Sequence, residues 1–125
     1  MGNFKEDIAR AEALIFDVDG VMTDGGIIPL PDGDFMRKYN AKDGYAIAYA
    51  VRVGCKIGII TGGRGRSLRH RLDMLGLTKI YMDCMDKIAA LNDFCTEQGV
   101  SPGRVVYMGD DCLLYTSPSP RDAHE

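Results

Sequence analysis

The sequence predicts an α/β fold in which helices cover a parallel β-sheet. Short apolar runs alternate with segments of helical periodicity, and several of those runs end at polar residues. The length of 125 residues suits one domain, and 46% apolar with 26% charged residues is ordinary for a globular chain. A net charge of −3 argues against a general nucleic-acid binder. No apolar run approaches the roughly 20 residues that span a bilayer.

The first half of the chain predicts a strand, a hairpin and a helix. Residues 14–16 form a short apolar run that suits a buried strand. Extended segments flank the turn sequence PDGD, which indicates a small β-hairpin flap over about residues 27–39. Asp43 can cap a helix that runs to Val53, with Ile47, Ala50 and Val51 on its core face.

The second half repeats the alternation of strand and helix. Residues 57–60, 80–82 and 105–108 predict three further strands. Between the first two lies a helix with Leu68, Leu72 and Leu75 at helical spacing. Residues 86–98 predict the next helix, with a core face made by Ile88, Leu91 and Phe94 or Cys95. This order favours right-handed crossovers and a Rossmann-like parallel sheet.

Polar residues follow three of the predicted strands where each strand ends: Asp17 and Asp19, Thr61 and Gly62, and Asp110 and Asp111. The carboxyl ends of parallel strands share one edge of a sheet, so these side chains should converge on one site. Two neighbouring carboxylates repel each other and are usually relieved by a cation or a shared proton. Hard oxygen ligands suit Mg²⁺.

Two further residues, Thr61 and Lys87, fit a phosphate group beside such a metal ion. Thr61 followed by glycine at a strand end is by itself also an ordinary turn, and Lys87 at a helix start is by itself an ordinary solvated side chain. A phosphate beside a metal ion would explain both, because backbone amides, a hydroxyl and a lysine can hold it.

Four motifs, in this order, resemble the haloacid dehalogenase phosphatase superfamily: Asp17-Val18-Asp19-Gly20, Thr61-Gly62, Lys87 and Gly109-Asp110-Asp111. The resemblance covers about residues 10–111. It implies that Asp17 attacks phosphorus to form an aspartyl-phosphate and that Asp19 is the general acid and base.

The same resemblance implies the ligands of the metal and the phosphate. Mg²⁺ would be bound by Asp17, the backbone carbonyl of Asp19 and Asp110, with Asp111 in the outer shell of the metal. The phosphoryl oxygens would be held by Thr61, Gly62 and Lys87.

Three stretches give a finer resemblance: FDVDGVMTDGGI, RKYNAKDGYAIAYAV and IITGGRGRSLRHR. They resemble the capless 3-deoxy-D-manno-octulosonate 8-phosphate phosphatases of lipopolysaccharide synthesis. This implies a homotetramer in which flaps and neighbouring subunits complete each pocket. Such packing would explain exposed apolar residues at Ile27, Ile28, Phe35 and Met36, although an ordinary exposed hairpin remains the alternative.

The candidates for substrate contact are Asn40, Lys42, Asp43 and Arg64. Some relatives have an arginine directly after the Thr-Gly motif, where this chain has Gly63, so the cation that binds the sugar-acid carboxylate stays open. A nine-carbon sialic-type acid phosphate is an alternative substrate, and a non-catalytic assembly domain is an alternative function. The other arginines around His70 are expected on a solvated helix face.

The resemblance ends after Asp111. The segment CLLYTSPSPRD resembles a peptide encoded by one reading frame of a transposase-type sequencing adapter. We therefore predict a phosphatase core over 1–111, a non-native tail over 112–125, and a fold that is C-terminally incomplete. Its fourth strand would lack cover, so the 125-residue chain should be poorly folded or aggregation-prone and should have little activity.

Compartment and redox state follow from composition. The N-terminal residues have no apolar signal-peptide core, which predicts a cytoplasmic protein. The four cysteines are scattered and should be reduced thiols. A small phosphorylated substrate is the expected ligand, with neither a nucleic acid nor a membrane as partner.

Overall fold

The structure, a computed structural model, describes residues 11–109 and the backbone of residues 113–114. The predictions for Asp110, Asp111 and most of the tail lie outside these residues. In the part of the chain that is described, no helix has the length and hydrophobicity that a membrane crossing requires.

In the described ranges, seven strands form two sheets. In chain order they are β1 (Ala13–Phe16), β2 (Ile28–Pro29), β3 (Phe35–Met36), β4 (Lys56–Ile60), β5 (Lys79–Tyr81), β6 (Val105–Met108) and β7 (Leu113–Leu114). The large sheet has the order β5-β4-β1-β6-β7, and its first four strands are parallel. Strands β2 and β3 form a separate antiparallel hairpin. The predicted parallel sheet and hairpin flap are confirmed.

Among the described residues, three α-helices cover the two faces of the sheet: α1 (Ala41–Arg52), α2 (Arg66–Met74) and α3 (Lys87–Gln98). Side chains of α1 and α2 share one core cluster, which includes Ile47, Leu68 and Leu72. On the opposite face, α3 contributes Phe94 to a second cluster. A Cβ atom on Gly58 of β4 would lie 2.7 Å from the Phe94 ring, so the glycine lets α3 pack closely on the sheet.

The structure corrects three details of the predicted elements. Helix α1 begins at Ala41, and its N-cap is Asn40, whose side chain accepts a hydrogen bond from the Asp43 N–H. The predicted cap, Asp43, was therefore wrong, because the helix starts three residues earlier, at Ala41. On α3, Ile88 is only half-buried, and Ala90 takes its place in the core.

The third correction concerns the fourth parallel strand, β6. Its outer edge was expected to be uncovered. In the structure β7 pairs with it in the antiparallel direction, with Tyr107 opposite Leu114 and Met108 opposite Leu113. No turn or periodicity signal in the sequence indicated this two-residue pairing, which covers only part of the strand.

The hairpin is fastened to the start of α2. The N-cap of α2 is Gly65, which has no side chain to accept from the first backbone N–H groups. Asp34 of the hairpin replaces that cap: it accepts from the Ser67 backbone N–H at 3.1 Å and lies 3.1 Å from the Ser67 hydroxyl. Arg66 adds an exposed ion pair to Asp32 at 2.9 Å. Two contacts therefore tie the tip of the hairpin to this helix.

The cap from Asp34 predicts a pH-dependent attachment. The hydrogen bond from the Phe35 N–H, helped by those from Ser67, lowers the pKa of Asp34 below its ordinary value of 3.8. Because the pKa of Asp34 is lower in the folded state, its stabilisation is complete above the ordinary value of 3.8. The stabilisation is lost as the pH falls through the folded-state pKa.

We therefore expect Asp34→Ala to increase hydrogen exchange at residues 27–39 and at the first turn of α2 at neutral pH. Wild type and variant should converge as the pH falls through the lowered folded-state pKa of Asp34. Equal exchange at neutral pH would contradict the capping role, and Asp24→Ala, an exposed carboxylate outside the hairpin strands, is the control.

Candidate active site

One cavity lies at the carboxyl edge of the parallel sheet, with a volume of about 360 Å³. In the sheet β1 lies between β4 and β6, and Phe16 is level with Ile59 and Met108. The loops after these strands therefore start at the same edge. The cavity is lined by Asp17, Asp19, Ile27, Phe35, Arg37, Thr61, Gly62, Gly63, Arg64 and Lys87.

Asp17 and Asp19 stand on the loop that leaves β1. Asp17 is buried, its backbone N–H donates to the Met108 carbonyl at 2.9 Å, and its Oδ1 accepts from the Val18 N–H at 2.7 Å. After Asp19 the chain turns at Gly20, whose φ of 86° is a conformation that favours glycine. The turn keeps both carboxylates at the mouth of the cavity.

Thr61 is held by the loop that follows β5. Its N–H donates to the Tyr81 carbonyl at 2.9 Å, and its carbonyl accepts from the Cys84 N–H at 2.9 Å. The Thr61 hydroxyl oxygen accepts from the Gly63 N–H at 3.0 Å, and the side chain is almost fully buried. These bonds fix the Thr-Gly-Gly loop where an anion could meet its amides and hydroxyl.

Lys87 is the first residue of α3. Asp86 caps that helix by accepting from the Ala89 N–H at 3.0 Å. The Lys87 Nζ lies 3.4 Å from Oδ2 of Asp17. A lysine at a helix N-terminus opposes the helix dipole, and a neighbouring anion offsets that cost. The structure thus brings together Asp17 and Lys87, which are far apart in sequence.

Arg37 belongs to the cavity, and the sequence analysis did not select it. Its Nε donates to Oδ1 of Asp19 at 2.7 Å, and the arginine side chain is 2% exposed. The guanidinium carbon lies 5.8 Å from the centre of the Phe35 ring. The spacing of Phe35 and Arg37 could have indicated it. Residues two apart in an extended strand lie on the same face, so both side chains can reach one cavity.

The four candidates for substrate contact separate in space. Arg64 lines the cavity that holds Asp17 and Asp19. Asn40 and Asp43 line a different cavity of about 370 Å³, and Lys42 lies beside Tyr45 on the outer side of α1. Within one chain, the structure does not bring these last three to the carboxylates.

Two tyrosines, the buried Tyr107 and the half-buried Tyr39, flank the carboxylates. Burial, strengthened by the charge of Asp17 and by Cys84, raises the pKa of Tyr107 to about 12. Burial also raises the pKa of Tyr39, with the charge of Arg37 opposing and that of Asp19 adding to the effect. Both phenols therefore stay protonated near neutral pH and add no negative charge beside the two aspartates.

The donor atoms at this edge fit a hard cation. Asp17 and Asp19 offer carboxylate oxygens, and the backbone of the same loop offers carbonyls, which are the ligands Mg²⁺ prefers. The third predicted ligand, Asp110, lies outside the described residues. Among the residues that are described, no group of three or more His, Cys, Asp or Glu side chains has the arrangement of a metal site.

Comparison with models of protein families gives no match. Among curated proteins, 3-deoxy-D-manno-octulosonate 8-phosphate phosphatase KdsC of Escherichia coli K12 is 36% identical over 109 residues, which are 85% of this chain and 58% of that protein. The chain thus spans less than two thirds of the length of this relative.

Solved structures give the same result. The crystal structure of 3-deoxy-D-manno-octulosonate 8-phosphate phosphatase from Yersinia pestis matches with a TM-score of 0.76 and 34% identity, over 82% of this chain and 55% of the other. The enzyme of that name from Moraxella catarrhalis, in complex with a magnesium ion, a phosphate ion and a KDO molecule, matches with a TM-score of 0.76 and 25% identity, over 83% and 60%. By motif order, sheet topology and these comparisons, the chain is similar to the 3-deoxy-D-manno-octulosonate 8-phosphate phosphatases and to a hydrolase of the haloacid dehalogenase superfamily.

Proposed function

We propose that the protein to which this chain belongs is a Mg²⁺-dependent phosphomonoesterase. Its substrate would be 3-deoxy-D-manno-octulosonate 8-phosphate, in lipopolysaccharide precursor synthesis. One observation carries the proposal: Asp17, Asp19 and Lys87 line one cavity although 70 residues separate the first from the last. The similarity to KdsC, and to the structure with magnesium, phosphate and KDO, supports the substrate class.

Two steps account for the reaction. An oxygen of Asp17 attacks phosphorus, and the bond between phosphorus and the sugar oxygen breaks as Asp19 gives that oxygen a proton. Water then attacks the aspartyl-phosphate, Asp19 takes a proton from the water, and the bond to Asp17 breaks with release of inorganic phosphate. The covalent route divides one difficult hydrolysis into two easier substitutions.

The phosphoryl group needs positive charge and fixed donors during both steps. Lys87 supplies an ammonium group, and Thr61 and Gly62 supply a hydroxyl and a backbone N–H on a loop that is already hydrogen-bonded in place. Mg²⁺ held by Asp17, the Asp19 carbonyl and Asp110 would neutralise charge on the phosphoryl oxygens.

A panel of phosphate esters tests the substrate. We expect a form extended to the full gene to hydrolyse the eight-carbon sugar-acid phosphate faster than a nine-carbon sialic-type acid phosphate. The 125-residue chain should have little activity. Chelation with EDTA should abolish turnover, and added Mg²⁺ should restore it. Faster hydrolysis of the nine-carbon ester would make that ester the substrate in place of the eight-carbon one. Full activity in EDTA would contradict the proposed dependence on Mg²⁺.

Asp17→Asn tests the nucleophile. An amide oxygen is a far weaker nucleophile than a carboxylate, so turnover should fall by at least about 10³-fold with the fold retained. The measurement is phosphate release together with thermal unfolding, and Asp73→Asn on the exposed face of α2 is the control. Unchanged turnover would rule out Asp17 as nucleophile and favour the non-catalytic assembly domain.

We also propose a homotetramer whose flaps pack on neighbouring subunits. Ile27, Ile28 and Met36 of the hairpin are 43%, 56% and 49% exposed, an unusual apolar surface for a lone hairpin. Sedimentation equilibrium should give four times the chain mass, and Ile28→Lys should lower it. A monomeric wild type that turns over at full rate would overturn this assembly.

A further inference from the structure

We propose that Arg37 is a positioning residue that holds the carboxylate of Asp19 in the orientation needed for proton transfer to the leaving oxygen. The role rests on the proposed phosphatase function. It is assigned by geometry: the arginine comes from the hairpin, the aspartate comes from the loop after β1, and the two side chains meet at the edge of the cavity.

The contact uses one side of the guanidinium. Nε lies 2.7 Å from Oδ1 of Asp19, whereas Nη2 lies 3.5 Å from Oδ2. The first is a strong charge-assisted hydrogen bond and the second is loose. Oδ1 of Asp19 is therefore fixed, and Oδ2 is the oxygen left to exchange a proton with substrate or water.

A buried guanidinium is costly unless its hydrogen bonds are satisfied. The Arg37 side chain is 2% exposed, yet its Nη1 has no hydrogen-bond partner among the residues that the structure describes. A purely structural ion pair would favour a place where every nitrogen is paired. Here one donor stays unpaired, while the same guanidinium is held by the hydrogen bond to Asp19 and by its position over the Phe35 ring.

Gly63 leaves the space that Arg37 occupies. A Cβ atom at position 63 would lie 2.8 Å from Nη2 of Arg37, closer than two such atoms can approach. The neighbouring Leu68 and Thr61 atoms would lie 3.2 and 3.3 Å away. The end of a long side chain moves most easily, so Gly63→Ala should displace the guanidinium while leaving the arginine in the chain.

Esters with different leaving groups distinguish a positioning role of Arg37 from general damage to the site. An alkyl phosphate needs a proton on its leaving oxygen, whereas p-nitrophenyl phosphate has a good leaving group and does not. We expect Arg37→Gln and Gly63→Ala to lower kcat/KM for the sugar-acid phosphate by at least about 10-fold, and for p-nitrophenyl phosphate by less than about 2-fold. The parameter kcat/KM reports formation of the aspartyl-phosphate, the step in which the leaving group departs.

Two controls complete the design, which uses the form extended to the full gene. Arg69→Gln removes an exposed ion pair to Asp73 within α2, away from the hairpin, and should leave both kcat/KM values unchanged. In an Asp19→Asn background, adding Arg37→Gln should cause no further loss, since residues that act as one unit are not additive. In wild type, the Arg37 Nε–H nuclear magnetic resonance signal should exchange slowly with water, and Asp19→Asn should shift it.

Three results would each overturn the role of Arg37 and leave the proposed phosphatase function standing. They are equal losses for the two esters, additive losses in the double variant, and a rapidly exchanging Nε–H signal. If wild type hydrolyses neither ester while the Nε–H signal is intact, the proposed phosphatase function fails, and the role of Arg37 fails with it. The Nε–H signal thus distinguishes loss of the contact between Arg37 and Asp19 from absence of phosphatase activity.

Discussion

The like charges of Asp17 and Asp19 are the constraint on which the rest of the site depends. The two carboxylates lie two residues apart at one cavity, so the surrounding fold must supply positive charge. In the described part of the chain, Lys87 contacts the first and Arg37 contacts the second. These cations come from positions 70 and 18 residues away from their partners. Charge balance at the site therefore requires the sheet, α3 and the hairpin to be in place together.

The hairpin is part of that site rather than an appendage to the sheet. Asp34 at its tip supplies the missing cap of α2, and Arg37 at its base reaches Asp19. Helix α2 begins just after the loop that carries Thr61. The same short segment thus contacts Asp19, the loop that carries Thr61 and the helix that follows it. A small shift of the hairpin would therefore change its contacts at all three of these places.

Patterns that repeat along the chain could be predicted from the sequence. The strands, the buried Leu68 and Leu72, and the meeting of Asp17 with Lys87 follow from apolar periodicity and from the common edge of a parallel sheet. Contacts between unlike segments could not be predicted. Arg37 lies on a hairpin whose position depends on side-chain bonds to α2, and no periodicity encodes those bonds.

The errors at the start of α1 and in the core of α3 have a local cause. Asn40 and Asp43 are both good cap residues, three positions apart, and only the path of the preceding chain decides which of them begins the helix. On α3, Ile88 and Ala90 lie at the border of the buried face. The small Ala90 fits where the helix approaches the sheet at Gly58, a closeness that the sequence of the helix alone does not show.

The close approach of Arg37 to Gly63 connects these points. An arginine at position 63 itself would be carried by a loop that is hydrogen-bonded to the sheet. Here Gly63 is small, and the guanidinium of Arg37 enters the space from the hairpin. A charge fixed to the sheet stays beside the carboxylates wherever the hairpin lies, whereas a charge on the hairpin is present only while the hairpin is docked. Positive charge beside Asp19 is therefore conditional on the contacts that hold the hairpin, including the Asp34 cap on α2.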